Sequence, residues 1–127
     1  MSDQQTVLLV EDEQMLLEMA GAALQKEFST VRAQNGHSAM SYLHSHTPDA
    51  VVLDIILPDI NGFDILETIR KDEKYNKTAV IMFTNLSEDT DKKRAQDLGA
   101  DDYHVKADID ITDLPKIIRK AIEKRQG

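Results

Sequence analysis

Five short β-rich runs alternate with five stretches of helical spacing, and this alternation constrains the fold more than any other feature of the chain. The runs cover residues 6–10, 30–33, 50–54, 78–84 and 102–105. Within the first, third and fourth, the segments Val7-Leu8-Leu9-Val10, Val51-Val52-Leu53 and Val80-Ile81-Met82-Phe83 are continuously apolar. A parallel strand covered on both faces has this pattern. The second and fifth runs are shorter and more polar, which suits the edges of a sheet. Strict strand–helix alternation implies right-handed crossovers, and so an α/β fold with a doubly wound, five-stranded parallel sheet.

The helical stretches differ in strength. Leu16, Ala20, Ala23 and Leu24 mark one face of a first helix, Ala39 and Leu43 a second, and Phe63, Leu66 and Ile69 a third. Ile111, Leu114, Ile118, Ala121 and Ile122 outline the fifth, with Pro115 tolerated in its opening turn. The fourth, over about residues 88–98, has Ser87 to cap its start and Gly99 to end it. Ala95 and Leu98 are nearly its only apolar anchors, so it is expected to move easily.

At 127 residues the chain reads as one domain over residues 1–127. A domain of this size buries roughly two-thirds of its unfolded surface and folds without a disulfide or structural metal. The lack of cysteine excludes thiol catalysis and cysteine-ligated metals. The opening Met1–Gln5 is polar, without the series of a secretory leader, and no apolar run approaches the roughly 20 residues a bilayer requires. A cytoplasmic protein without membrane insertion is the expectation. A net charge of −8 argues against a nucleic-acid partner. The five basic residues within 116–125 read as the cationic end of the last helix.

In doubly wound sheets the active crevice lies beyond the carboxyl ends of the strands. There the first strand is followed by Glu11 and Asp12, the third ends in Asp54, the fourth in Thr84, and Lys106 follows the fifth. Two carboxylates about 4 Å apart repel by about 4 kcal/mol at an effective dielectric near 20. Either their pKa values rise or a divalent cation neutralises them. Oxygen ligands in an open site without histidine or thiol point to magnesium, which could bridge a carboxylate to an incoming phosphoryl group. Lys106 supplies a charge for one phosphate oxygen and the Thr84 hydroxyl donates to another. Asp54 is then the nucleophile, forming an acyl phosphate. No G-x-x-x-x-G-K loop is present, nor a G-x-G-x-x-G after the first strand. His44 and His46 stand two apart near a helix end and point different ways, so they are not read as metal ligands.

These segments, V-L-L-V-E-D-E, V-V-L-D-I-I-L-P-D-I-N-G-F, I-M-F-T-N and L-G-A-D-D-Y-H-V-K, occur in this order and spacing over essentially the whole chain. Together they resemble the receiver domain of bacterial two-component response regulators. The resemblance implies a flavodoxin-like receiver fold with five helices and strand order 2-1-3-4-5. It implies magnesium contacts from Asp12, Asp54 and the backbone carbonyl of Ile56, with Glu11 acting through water. The phosphoryl donor would be a phosphohistidine on a sensor histidine kinase or a histidine phosphotransfer protein. Tyr103 would swing inward as Thr84 moves, reshaping a face built from the fourth helix, fifth strand and fifth helix on which a downstream target docks. Alternatively, Tyr103 is a static strand residue with its hydroxyl in solvent.

Two departures stand out. Receivers usually carry a cis-proline after the lysine, whereas Ala107 follows Lys106. A cis bond before alanine costs about 2.5–4 kcal/mol, so a trans bond and an altered loop are expected. Asn85 also stands where a small residue is usual, and its side chain could crowd the mouth. Ile56 and Leu86, each two positions beyond a site residue, cannot orient an attacking water, so slow self-dephosphorylation is expected. With no second module in these 127 residues, the output expected is a stand-alone regulator that docks on another protein or relays phosphoryl groups. It would catalyse its own phosphorylation without being an enzyme in the turnover sense. The rival reading is a receiver-like scaffold that binds partners without phosphorylation.

Overall fold

The structure, a computed structural model, describes residues 4–127. Most of the polar opening segment weighed above, residues 1–3, lies outside those described. The elements run β1 (Thr6–Val10), α1 (Gln14–Leu24), β2 (Ser29–Ala33), α2 (Gly36–Ser45), β3 (Ala50–Leu53), α3 (Gly62–Lys71), β4 (Ala79–Thr84), α4 (Asp89–Asp97), β5 (Asp102–Val105) and α5 (Leu114–Gln126). Short 3₁₀ turns occupy Glu73–Tyr75, Lys106–Asp108 and Ile111–Asp113. The five strands form one sheet in the order β2-β1-β3-β4-β5, and every pairing is parallel. The order matches the expectation from the family resemblance, and the polar runs lie at the two edges.

Alternation along the strands feeds two cores, because successive side chains point to opposite faces. Val7, Leu9, Val52, Ile81 and Phe83 meet Leu17, Ala20 and Leu24 of α1 and Leu114, Ile118 and Ile122 of α5. Leu8, Val10, Val51, Leu53, Val80 and Met82 meet Ala39 and Leu43 of α2, Phe63, Leu66 and Ile69 of α3, and Ala95 of α4. The fold is therefore a sheet between two helical layers. Each fully buried Leu, Ile, Val or Phe contributes roughly 1.5–3 kcal/mol of transfer free energy to it.

Several local readings are corrected. The innermost stripe of α1 is Leu17, Ala20, Gly21 and Leu24, while Leu16 and Ala23 flank it half-buried. Gly21 is buried because the Arg32 side chain lies across it, where a Cβ would collide with the guanidinium. Ile111 belongs to a 3₁₀ turn before α5 rather than to the helix, and Pro115 sits in the helix's first turn. β3 stops at Leu53, one residue before Asp54, while β2 starts at Ser29 and β4 at Ala79. The N-cap of α4 is Glu88, with no side-chain cap, rather than Ser87. Its far end is as expected: Gly99 adopts φ +100°, and Gly99 N–H and Ala100 N–H donate to the carbonyls of Gln96 and Ala95 at 3.0 Å each. That is a Schellman closure, which favours glycine at the left-handed position. Ala95 is the one residue of α4 that is fully buried.

Candidate functional site

The site forms where β1 and β3, neighbours at the centre of the sheet, run out at the same level. Glu11 follows β1 and is 1% exposed, and Asp54 follows β3 and is 4% exposed. Their backbones stay in line with the sheet: Glu11 N–H donates to Ala33 O at 3.0 Å and Asp54 N–H to Val10 O at 3.3 Å. Beyond Asp54 the chain turns sharply, and Asn61 caps α3 by accepting from Phe63 N–H at 2.8 Å. Gly62 N–H donates to Ile55 O at 2.8 Å, which brings the start of α3 onto the backbone beneath Asp54. A Cβ at position 62 would run into the Asp54 carbonyl oxygen and the Ile55 Cα, so only glycine permits this approach.

Lys106, delivered by β5, lies over both acids. Its Nζ is 2.7 Å from Asp54 Oδ2 and 2.7 Å from Glu11 Oε1. Burial alone would lower the pKa of this ammonium, but the hydrogen bond to Asp54 and the charges of Asp54 and Glu11 outweigh it and hold the value above normal. Burial pushes the Glu11 carboxyl up, against the opposing pull of Lys106 and of the Glu13 N–H that donates to Oε2 at 3.1 Å. Asp54 Oδ1 accepts from Ile56 N–H at 3.2 Å.

Asp12 is exposed, yet its carboxylate joins those of Glu11 and Asp54 with one oxygen from each within 4.8 Å of the others. This is the single such grouping among the described residues. Three carboxylates and one ammonium leave the site with a charge of −2, that of one divalent cation's counterpart. Glu11 Oε1 supplies a second sign of fit. Lys106 Nζ stands 2.7 Å away as an ion pair, and this buried oxygen accepts no hydrogen bond among the described residues. An all-oxygen donor set with a free lone pair fits a hard cation such as magnesium.

Residues 7–119 match the response regulator receiver domain. The chain belongs to that family. Regulatory protein VanRc of Enterococcus gallinarum is 40% identical over 101 residues, which cover 79% of this chain and 42% of that protein. Response regulator ArlR of Staphylococcus aureus is 39% identical over 121 residues, covering 94% of this chain and 53% of its own length. This receiver thus spans about half, or less, of the curated relatives it matches. A CheY-like receiver domain protein of Methanospirillum hungatei shares the fold, with a TM-score of 0.88 at 21% identity over 98% of both chains.

Receiver domains accept phosphoryl groups at an acidic pocket, and Glu11, Asp12, Asp54 and Lys106 are brought together in one here. Thr84 ends β4 between β3 and β5 and is fully buried. Its hydroxyl accepts a long bond from Leu86 N–H at 3.4 Å and makes no hydrogen bond to Asp54 or Lys106 among the described residues. Tyr103 is half-buried against the α3–α4 core, and its hydroxyl donates to Leu86 O at 2.7 Å, so the solvent-facing alternative is not adopted. Burial, with help from the Asp91 and Asp54 charges, pushes its phenol up to about 12. The Lys106–Ala107 bond is trans and opens a 3₁₀ turn. Asn85 is exposed. His46 stacks on Tyr42 with centroids 4.3 Å apart, and His104 pairs with Asp102 at 2.9 Å, away from the acidic cluster.

The direct tie between Lys106 and Glu11 is absent from the sequence reading, which gave Glu11 to the metal through water. Two positions 95 residues apart in the chain carry no local signal of such a pairing. A second contact, Arg94 over the Phe63 ring at 4.3 Å, is equally silent in the sequence.

Proposed function

We propose that this receiver takes a phosphoryl group from a phosphohistidine onto Asp54 in a magnesium-dependent reaction, and that the modified form acts by docking on a separate protein or by passing the group on. The reading is carried by Lys106, whose ammonium bridges Asp54 and Glu11 at 2.7 Å each. Asp12, Asp54, the Ile56 backbone carbonyl and, through water, Glu11 would hold the magnesium. When bound, the ion offsets the charge that develops on the transferring phosphoryl oxygens.

Asp54 itself supplies the nucleophile. One carboxylate oxygen attacks phosphorus, the P–N bond to the donor imidazole breaks, and the imidazole leaves with a proton from solvent. The Ile56 N–H and Lys106 orient the carboxylate before attack. Lys106 then hands one of its hydrogen bonds to a phosphoryl oxygen, while Glu11 continues to hold the ammonium in place. The Thr84 hydroxyl accepts from Leu86 N–H and keeps its own proton to donate to the same group, which links phosphorylation to the segment entering α4.

The donor is a sensor histidine kinase or a histidine phosphotransfer protein, and the docking face is that of α4, β5 and α5. A cytoplasmic setting fits such donors, and no helix among the described residues is long and apolar enough to cross a membrane. The test is incubation with acetyl phosphate and magnesium, with the modified residue mapped by mass spectrometry. Modification should appear on Asp54 and vanish in Asp54→Ala. Its persistence in that variant defeats the assignment, and its absence from wild type favours the phosphorylation-independent scaffold.

A further inference from the structure

Residues 56–60, in the loop from β3 to α3, have one polar tie to the rest of the molecule. Ile56 N–H stays within the loop on Asp54 Oδ1, and among the described residues only Asp59 hydrogen-bonds from this stretch to another element. Asp59 Oδ1 accepts from Gly36 N–H and Oδ2 from His37 N–H, both at 2.8 Å, while Ile60 N–H donates to Oδ1 at 2.9 Å. The first two are the opening amides of α2, which nothing inside a helix can satisfy. Asn35 takes the next two, Ser38 N–H on its side chain at 2.7 Å and Ala39 N–H on its carbonyl at 3.2 Å. All four orphan donors of α2 are thus filled, two of them by a carboxylate whose charge suits that end of the helix. The backbones also approach closely: a Cβ on Gly36 would stand 2.8 Å from Ile60 Cβ and 3.2 Å from Asp59 Oδ1. Beyond that, Leu57 and Ile60 only pack partly on the core beneath.

We propose that Asp59 is a positioning residue, a clamp that fixes the β3–α3 loop to the N-terminus of α2 and so presents the Ile56 carbonyl to the cation. This role rests on the proposed magnesium site, where that carbonyl is a ligand. Asp59 acts through the two residues between. Pro58 has a fixed φ, and it restricts Leu57 before it to extended conformations. Few free torsions therefore separate the anchored carboxylate from the Ile56 carbonyl, and a shift at one end is felt at the other.

Magnesium chloride titrated into the unphosphorylated protein, followed by amide chemical shifts, tests it. Asp59→Ala should weaken binding about tenfold, the lower end of what removal of a group supporting a metal ligand costs. Asp59→Asn loses the charge but keeps an acceptor oxygen, so it should fall between wild type and Asp59→Ala. Pro58→Gly leaves the carboxylate in place, yet it should weaken binding too, and adding Asp59→Ala to it should cost little more. In the metal-free protein the Ile56 amide should exchange severalfold faster in Asp59→Ala, although Asp59 does not bond to it. Lys74→Met is the control for stability. It unties the other end of α2, where Lys74 Nζ reaches the carbonyls of Leu43 and His44 at 3.1 and 3.3 Å. It should lower the thermal midpoint without weakening magnesium. Wild-type affinity or unchanged Ile56 exchange in Asp59→Ala, equal losses in Asp59→Ala and Asp59→Asn, additive losses in the double variant, or a like loss in Lys74→Met each overturns the clamp alone. A wild type in which magnesium moves no amide near Asp12 and Asp54 overturns the metal site, and the clamp with it.

Discussion

Ile56 and Leu86, each two positions beyond a site residue, are both apolar. Ile56 is 58% exposed, while Leu86 packs partly on the α3–α4 core. Neither side chain can hold a water for attack on an acyl phosphate, so the phosphorylated form is expected to last minutes or longer. Ile56→Ala and Leu86→Ala should shorten that half-life severalfold by opening the mouth, yet by less than the roughly 10²-fold a positioned general base supplies. Decay of the wild type within seconds, followed by loss of radiolabel, would contradict this. Tyr103 makes a second prediction at this scale. Its phenol ionises at about 12 in the folded protein, against about 10 when unfolded. The folded state therefore keeps a proton that the unfolded state has lost, so stability is unaffected below about pH 10 and falls as pH rises from there to about 12. Urea midpoints of wild type should drop across that window, and those of Tyr103→Phe should drop less.

Among the elements, the strands were the most legible because burial on both faces leaves a continuous apolar run that little else produces. The failures came where a distant residue decides. The inward stripe of α1 is turned towards Gly21, a residue with no hydrophobic signal of its own, because Arg32 from β2 lies over it. Ser87 is the better capping residue by type, yet the turn after β4, tied by the Tyr103–Leu86 bond, starts the helix one residue later. Arg70 shows how much such long-range ties carry. From the last turn of α3 its guanidinium serves the carbonyls of Tyr75, Thr78 and Gly99 together with the Asp101 carboxylate, which also accepts from Val80 N–H at 2.8 Å and from Arg125 at 3.2 Å. Arg70→Met keeps the stem but strips the charge from a buried cluster, which should cost about 3 kcal/mol. A chemical denaturation midpoint that barely moves would show that Arg125 takes over the role.

For the molecule as a whole, the placement of chemistry at one sheet edge was readable, since topology alone brings the ends of β1, β3, β4 and β5 together. The balance of charge inside the site was not readable, because it depends on where Lys106 comes to rest. With its ammonium shared between Glu11 and Asp54, the three carboxylates and Lys106 together carry a formal charge of −2. That residue of charge is what magnesium would relieve. A chain of net charge −8 would also gain from any added cation through general screening, so the two effects need separating. Binding to the folded state alone stabilises by about 1.4 kcal/mol at a free magnesium concentration ten times the dissociation constant. For a domain of this length that is a rise in midpoint temperature of roughly 5 °C. Wild type should show such a rise above a sodium chloride control of equal ionic strength, and Asp12→Asn should lose most of it. Lys106→Met should be less stable without metal, because two buried carboxylates then face each other unneutralised, yet it should bind magnesium more tightly because the site now carries −3. Equal rises in wild type and Asp12→Asn would assign the stabilisation to the acidic surface at large, and weaker binding in Lys106→Met would mean that the ammonium orients the carboxylates rather than competing with the ion.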